Sequence, residues 1–134
     1  MRVLGYIMAF VATSAAAPAI SRGAAPAGIW ANPAKSVHVR FKPCGPGICG
    51  TVIWASPKAV ADARQKGTDR LVGEQLFRDF EPESPGLWSG EVFVPDIGKT
   101  FAGTLRLIDA RTMVGEGCLF AGLGCRAQTW KRIK

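Results

Sequence analysis

Histidine occurs once in this 134-residue chain, as His38. Zinc centres and Ser-His-Asp triads both draw on imidazole, so both are poorly supplied. No serine lies in a Gly-x-Ser-x-Gly elbow, which leaves Ser56, Ser84 and Ser89 without the turn that exposes a nucleophile. The cysteines form no C-x-x-C redox pair. Basic and acidic residues never run five of one sign together, and no nucleic-acid motif accompanies them. The apolar runs fall short of the ~20 residues that cross a bilayer as a helix. Charged residues make up 20% of the chain, a little below the soluble-domain average of about 25%. No residue set identifies a reaction, a metal or a cofactor.

What is present begins with charge. Seventeen Lys and Arg against ten Asp and Glu give a net charge of +7 and a pI near 9.7. Such a surface attracts polyanions at low salt, an anionic envelope component among them. The densest basic group is Arg126, Lys131, Arg132 and Lys134, with Arg40 and Lys42 elsewhere. The scatter reads as an ordinary basic surface, with no dedicated nucleic-acid site.

The N-terminus reads as an address. Arg2 precedes an uncharged stretch from Val3 to Ala17, and Ala17-Pro18-Ala19 is a small-x-small cleavage signal. The expected organisation is a secretory signal peptide over 1–19, a short flexible segment over 20–27 and one domain over 28–134. The mature protein would then be periplasmic or secreted, without a transmembrane anchor.

Export makes disulfides the default state of Cys44, Cys49, Cys118 and Cys125. Four cysteines allow three connectivities, and sequence does not choose among them rigorously. Each local pair flanks a Gly-rich turn between apolar runs, which favours Cys44–Cys49 and Cys118–Cys125. The C-x4-C and C-x6-C spacings with one histidine make a poor zinc set.

Alternation dominates the rest. Val37, Val39 and Phe41 alternate with Ser36, His38, Arg40 and Lys42, the pattern of a strand with one wet face. Further strands are expected at Gly28-Ile29-Trp30, Ile48 to Ala55, Leu71 to Phe80, Trp88 to Val94, Lys99 to Ile108, Met113 to Phe120 and Arg126 to Ile133. Residues 81–86 and 95–98 read as turns. One segment differs: Ser56 as N-cap, Pro57 at the first position, an Ala-rich run and Gly67 predict a short helix. Consecutive strands joined by tight turns predict an antiparallel meander of about eight strands. Closure into a barrel removes both sheet edges, so an all-β, closed or partly closed barrel is the expected fold.

An ordered set of fragments resembles a bacterial family. Gly28-Ile-Trp30, Cys44-Gly-x-x-x-Cys49-Gly50, Leu71-Val-Gly73 and Trp88-Ser-Gly90 come first. Pro95-Asp-x-Gly98-Lys99-Thr100, Gly117-Cys118 and Gln128-Thr-Trp130-Lys-Arg132 follow. Together they resemble the domain-of-unknown-function 2147 family, whose members are small, exported and without established activity. Between Trp54 and Leu71 the chain departs from the Asn-Pro-rich loop of many members. A more distant likeness is to lipocalin-like barrels, with Gly-x-Trp in the first strand and a basic residue in the last. That likeness implies that Trp30 and Arg132 close the barrel, the guanidinium packing across the indole.

The candidate sites each have a plain reading. His38 lies on the polar face of its strand, where a solvated imidazole is expected. Glu81 and Glu83 have the spacing of a carboxylate pair within a Pro-rich turn. Asp96 and Asp109 are turn residues. Trp30, Trp54, Trp88 and Trp130, with six phenylalanines, suit a core or an aromatic-lined barrel mouth. The expected role is non-catalytic binding of a small apolar or amphipathic ligand or an envelope component, with no ligand-binding residue singled out. The alternatives are an envelope-acting hydrolase that uses paired carboxylates, and a protein-protein interaction module with a packed core.

Overall fold

A computed structural model describes residues 26–120 and 123–134, together with residue 12. Apart from Ala12, the expected signal segment and its cleavage site lie outside the described residues. Eight antiparallel strands close into a barrel in the order of the sequence. They are β1 (Gly28–Ala31), β2 (Val37–Cys44), β3 (Gly47–Ala55), β4 (Gln75–Ser84), β5 (Leu87–Val94), β6 (Lys99–Asp109), β7 (Thr112–Phe120) and β8 (Leu123–Arg132). One helix, α1 (Pro57–Gln65), interrupts the meander between β3 and β4.

Up-and-down order sends alternate connections to opposite ends. The β1–β2 and β3–β4 connections and the β5–β6 and β7–β8 hairpins gather at one end. The β2–β3, β4–β5 and β6–β7 hairpins, with the chain's C-terminus, gather at the other. The second end is plugged. Trp30, Phe41, Phe80, Trp88, Leu105, Met113 and Trp130 are all buried there or at mid-barrel. Phe77 ties this plug together, with ring centroids 5.2 Å from Phe41, 5.9 Å from Phe80 and 5.4 Å from Trp130. The last two are edge-on, the arrangement that ring quadrupoles favour.

Closure joins first strand to last. Trp30 pairs with Arg132 and Ala31 with Lys131. Outside the strands, Ile29 N donates to Lys134 O at 3.0 Å and Ile133 N to Ile29 O at 2.8 Å. Gly28 sits at the crossing with φ 89°, and a Cβ there would collide with Lys134 O. Glycine is therefore required by backbone angle and by space.

Arg132, the register partner of Trp30, makes further contacts at the crossing. Arg132 Nε donates to Lys134 O at 3.1 Å and the guanidinium lies over Gly28. Trp30 Nε1, in the plane of the ring, donates to Ala27 O at 3.1 Å. A buried indole N–H needs an acceptor, and that acceptor fixes the ring. Pro26 is also buried, so the last two residues of the segment read as flexible belong to the packed structure.

Two strand limits move. Leu71 was expected to begin a strand, but it lies in a turn closed by Glu74 N on Leu71 O at 3.1 Å. Its burial makes it a core plug before β4 starts at Gln75. Residues 81–84 were expected as turn and instead extend β4 to Ser84. Pro82 is tolerated because the β4–β5 register shifts between Pro82 and Ser84, where the ladder gives way. A second irregularity in β4 follows Arg78, with Asp79 at φ 52°. It lets both Phe77 and Phe80 face inward, an arrangement that strict alternation forbids.

Helix α1 begins and ends where its sequence signals stand. Ser56 Oγ accepts from Ala59 N at 3.1 Å, Pro57 opens the helix, and Gly67 follows it with φ 95°. Ala59 and Ala63, one turn apart, face the core, and Ala63 is fully buried. Small residues bring the helix close to the barrel end without filling it.

Candidate functional site

The end opposite the aromatic plug is open. A cavity of about 890 Å³ enters the barrel there, within the roughly 300–1,000 Å³ range of small-molecule sites. Three structural facts create it. Inward positions of β7 run Met113, Gly115, Gly117 by alternation, so the bulk that fills the closed end is missing toward the mouth. Gly124 repeats this on β8 and also lines the cavity. Helix α1 presents alanines where larger residues would plug the opening.

The lining is graded. Leu71, Leu76, Phe77, Val92, Phe101 and Trp130 give apolar walls and floor. Polar groups are interspersed, and those on the loops and helix α1 lie toward the rim. Lys58 and Asp62, on successive turns of α1, form an ion pair at 2.7 Å. The hydrogen bond from Lys58 to Asp62, and then the carboxylate's charge, hold the Lys58 ammonium above its ordinary range. Lys58 is thus a charged, paired cation, and an exposed pair of this kind contributes little to stability. Asn32 is committed to its own loop, accepting from Ser36 N at 2.8 Å and Val37 N at 2.9 Å.

Arg126 and Gln128 differ from these. They alternate with Trp130 on the inward face of β8, opposite Gly117 and Gly115. Both line the cavity, and neither has a hydrogen-bond or ion-pair partner among the described residues. Sequence reasoning missed them because Arg126 was grouped with Lys131, Arg132 and Lys134 as one basic cluster. The strand splits that cluster. Lys131 points outward and donates to Thr112 Oγ1 at 3.0 Å. Arg132 sits at the closed end, and Arg126 faces the cavity. The usable signal was the same alternation that puts Gln128, Trp130 and Arg132 on one face, carried two residues further back.

Of the other sequence candidates, Ser56, Asp96 and Trp130 border the cavity and the rest lie outside it. His38 is on the outer wall, its ring 4.5 Å from the half-exposed Trp54. Trp30, Trp88 and Trp130 are core, and of the four tryptophans Trp130 alone lines the cavity. Glu81 and Glu83 are exposed near the closed end, and Glu83 accepts from Ser89 Oγ. Ser56 is occupied as the helix cap. Cys44 bridges to Cys49, and Cys118 to Cys125. The second bridge joins direct register partners and the first spans the β2–β3 turn diagonally. Cys44 and Cys49 cluster with Asp79, and Cys118 and Cys125 with Glu116, at metal-ligand distances. Bridged sulfurs offer no thiolate, so neither group is a thiolate metal site.

Comparison with known proteins adds family and fold. The family model described as "Uncharacterized protein conserved in bacteria (DUF2147)" matches residues 28–132, the extent of the barrel. A solved structure entitled "Protein HP1028 from the human pathogen Helicobacter pylori belongs to the lipocalin family" superimposes with a TM-score of 0.62. It is 14% identical, over 82% of this chain and 84% of that one, a likeness of fold alone. No curated protein sequence matches the chain. Among the described residues, no helix is long and apolar enough to cross a membrane.

Proposed function

The chain belongs to the DUF2147 family of uncharacterized bacterial proteins, and from its barrel we propose that it binds a small amphipathic molecule without catalysis. The observation that carries this reading is the asymmetry of the interior. One end is packed with tryptophan and phenylalanine, and the other is left open by glycine and alanine. Filling the whole interior would stabilise the fold, because buried apolar area contributes about 25 cal/mol per Å². An eight-stranded barrel can either fill or hold one small ligand, and this sequence leaves half unfilled.

An interaction module with a packed core fits less well, since the core is packed only at one end. The hydrolase reading loses its best residues, because Glu81 and Glu83 lie away from the cavity. We place the protein outside the cytoplasm, in the periplasm or secreted, on two supports: the N-terminal signal pattern and two disulfides.

Native mass spectrometry of protein purified from the cell envelope tests the binding role. The expected result is a co-purifying small molecule that is lost in Gly115→Leu protein, whose new side chain enters the cavity. Protein that carries no such mass, and takes up no long-chain acid or alcohol when offered, would sink the proposal. Thiol labelling of the same denatured, unreduced sample tests the compartment: no free thiol is expected, and two or more labelled cysteines would contradict export.

A further inference from the structure

We infer that the cavity selects an amphiphile with an acidic headgroup, held by Arg126 near the mouth, its apolar tail lying toward Phe77 and Trp130. This rests on the cavity being a binding site and adds the class of ligand.

The argument starts from β8. Its inward positions run Gly124, Arg126, Gln128, Trp130 from mouth to floor. Four residues of strand set the Arg126 and Trp130 backbone positions roughly 13 Å apart along the wall. Polarity therefore falls with depth over a length suited to a headgroup and a tail. The facing positions on β7 are glycines: Arg126 stands opposite Gly117 and Gln128 opposite Gly115. No side chain on that strand covers the guanidinium or competes with a ligand for it.

Charge pairing and placement single out the same residue. Lys58 at the rim is paired with Asp62. Lys35, like Arg126 without a side-chain partner among the described residues, borders the cavity from the β1–β2 loop at the lip rather than from a strand. Arg126 has no carboxylate or carbonyl partner among the described residues. Glu116 also borders the cavity, but alternation puts its side chain on the outward face of β7 with Cys118, its Oε1 3.7 Å from Cys118 Sγ. The remaining acid on the lining is Asp96, on the β5–β6 turn. An inward arginine without an internal partner has its planar fork of donors free. That fork matches the two oxygens of a carboxylate or phosphate. Gln128, one step deeper, can donate to the same headgroup through its amide.

The chemistry needed is a single acidic group on an apolar chain. It can come from a free fatty-acid-type carboxylate or from a lipid phosphate, and the test separates them. Calorimetric titration of the full barrel uses dodecanoate, dodecyl phosphate and dodecanol, three probes with one tail. The expected result is that at least one acid binds about tenfold or more tighter than the alcohol. Preference for dodecanoate assigns the carboxylate source, and preference for dodecyl phosphate assigns the phosphate source. Arg126→Gln should bring acid affinity to within about twofold of the same variant's alcohol affinity. Arg126→Lys should restore part of the preference, since charge returns without the fork. Equal binding of acid and alcohol by the unaltered protein, or a preference that survives in Arg126→Gln, overturns the headgroup assignment and leaves the cavity reading standing. Failure of all three probes to bind overturns both.

Discussion

Two glycines should respond to the same substitution with opposite signs. Gly115 lies on β7 and Gly90 on β5, and neither has a left-handed φ, so space decides the outcome. A Cβ on Gly115 would stand 3.5 Å from Leu105 Cδ2, 3.5 Å from Phe77 Cε1 and 3.7 Å from Trp130 Nε1. These are ordinary contacts. Removing the backbone freedom of glycine contributes roughly 0.5–1 kcal/mol, and the new methyl adds burial. Gly115→Ala should therefore stabilise the barrel by about 0.5–1.5 kcal/mol. A Cβ on Gly90 would stand 2.6 Å from Arg78 O, 2.9 Å from Asp79 O and 2.9 Å from Phe80 Cα. All three atoms are backbone of the β4 irregularity, which cannot rotate aside as a side chain would. Moving it disturbs Phe80, which is fully buried. Overpacking of this kind costs about 1–3 kcal/mol, more than the entropic gain returns, so Gly90→Ala should destabilise by about 1–2 kcal/mol. Urea unfolding with intact disulfides measures both, through midpoints at constant m. If the two variants shift the midpoint in the same direction, the account of where this barrel is full and where it is empty is wrong.

Other outcomes follow from single contacts. Arg132→Ala should cost about 0.5–1.5 kcal/mol in the same assay, because it removes the local bond that steadies Lys134 O, the carbonyl that also accepts from Ile29 N across the closure; a change within scatter would mean that the backbone pairs close the barrel alone. Amide exchange should be faster over 57–67 than in β2 and β3, since α1 is anchored by alanines and short helices are marginal without packing; equal protection would make the helix a fixed wall. Asp109 should titrate below an ordinary aspartate, first because Arg111 N donates to its carboxylate. Its folded value is depressed, so its small stabilising effect is present above the unfolded pKa and fades as pH falls through the folded one. A carboxyl shift, followed by NMR, with a midpoint at or above the ordinary value would contradict that bond.

The barrel was legible because each of its determinants is local. Val37, Val39 and Phe41 state a period of two within five residues, and Pro95 to Gly98 states a turn within four. Ser56, Pro57 and Gly67 mark a helix without reference to anything distant. What was not legible depends on registers between strands. Leu71 reads as strand because it is apolar beside other apolar residues, yet it is buried as a turn residue. The irregularity after Arg78 has no signal in β4 itself. It is permitted by Gly90, a glycine on the neighbouring strand. The partner of the Trp30 indole N–H could not be named until the position of the Ala27 carbonyl was known.

The cavity was hidden for a related reason: it is made of residues that are not there. Gly115, Gly117 and Gly124 carry no chemistry of their own, and the tryptophans suited a core or an aromatic-lined mouth without distinguishing the two. Three of the four tryptophans fill the closed end or sit on the outer wall, and phenylalanine and leucine line much of the rest. The functional arginine was camouflaged by company, since Arg126, Lys131, Arg132 and Lys134 look like one basic tail. Alternation distributes them to the cavity, the outer wall and the closed end. A basic residue in a strand therefore has to be assigned a face before its charge is assigned a role. On the outer face, Lys131 spends its ammonium on Thr112. On the inner face, beside glycine and above Trp130, Arg126 has only a ligand left to meet.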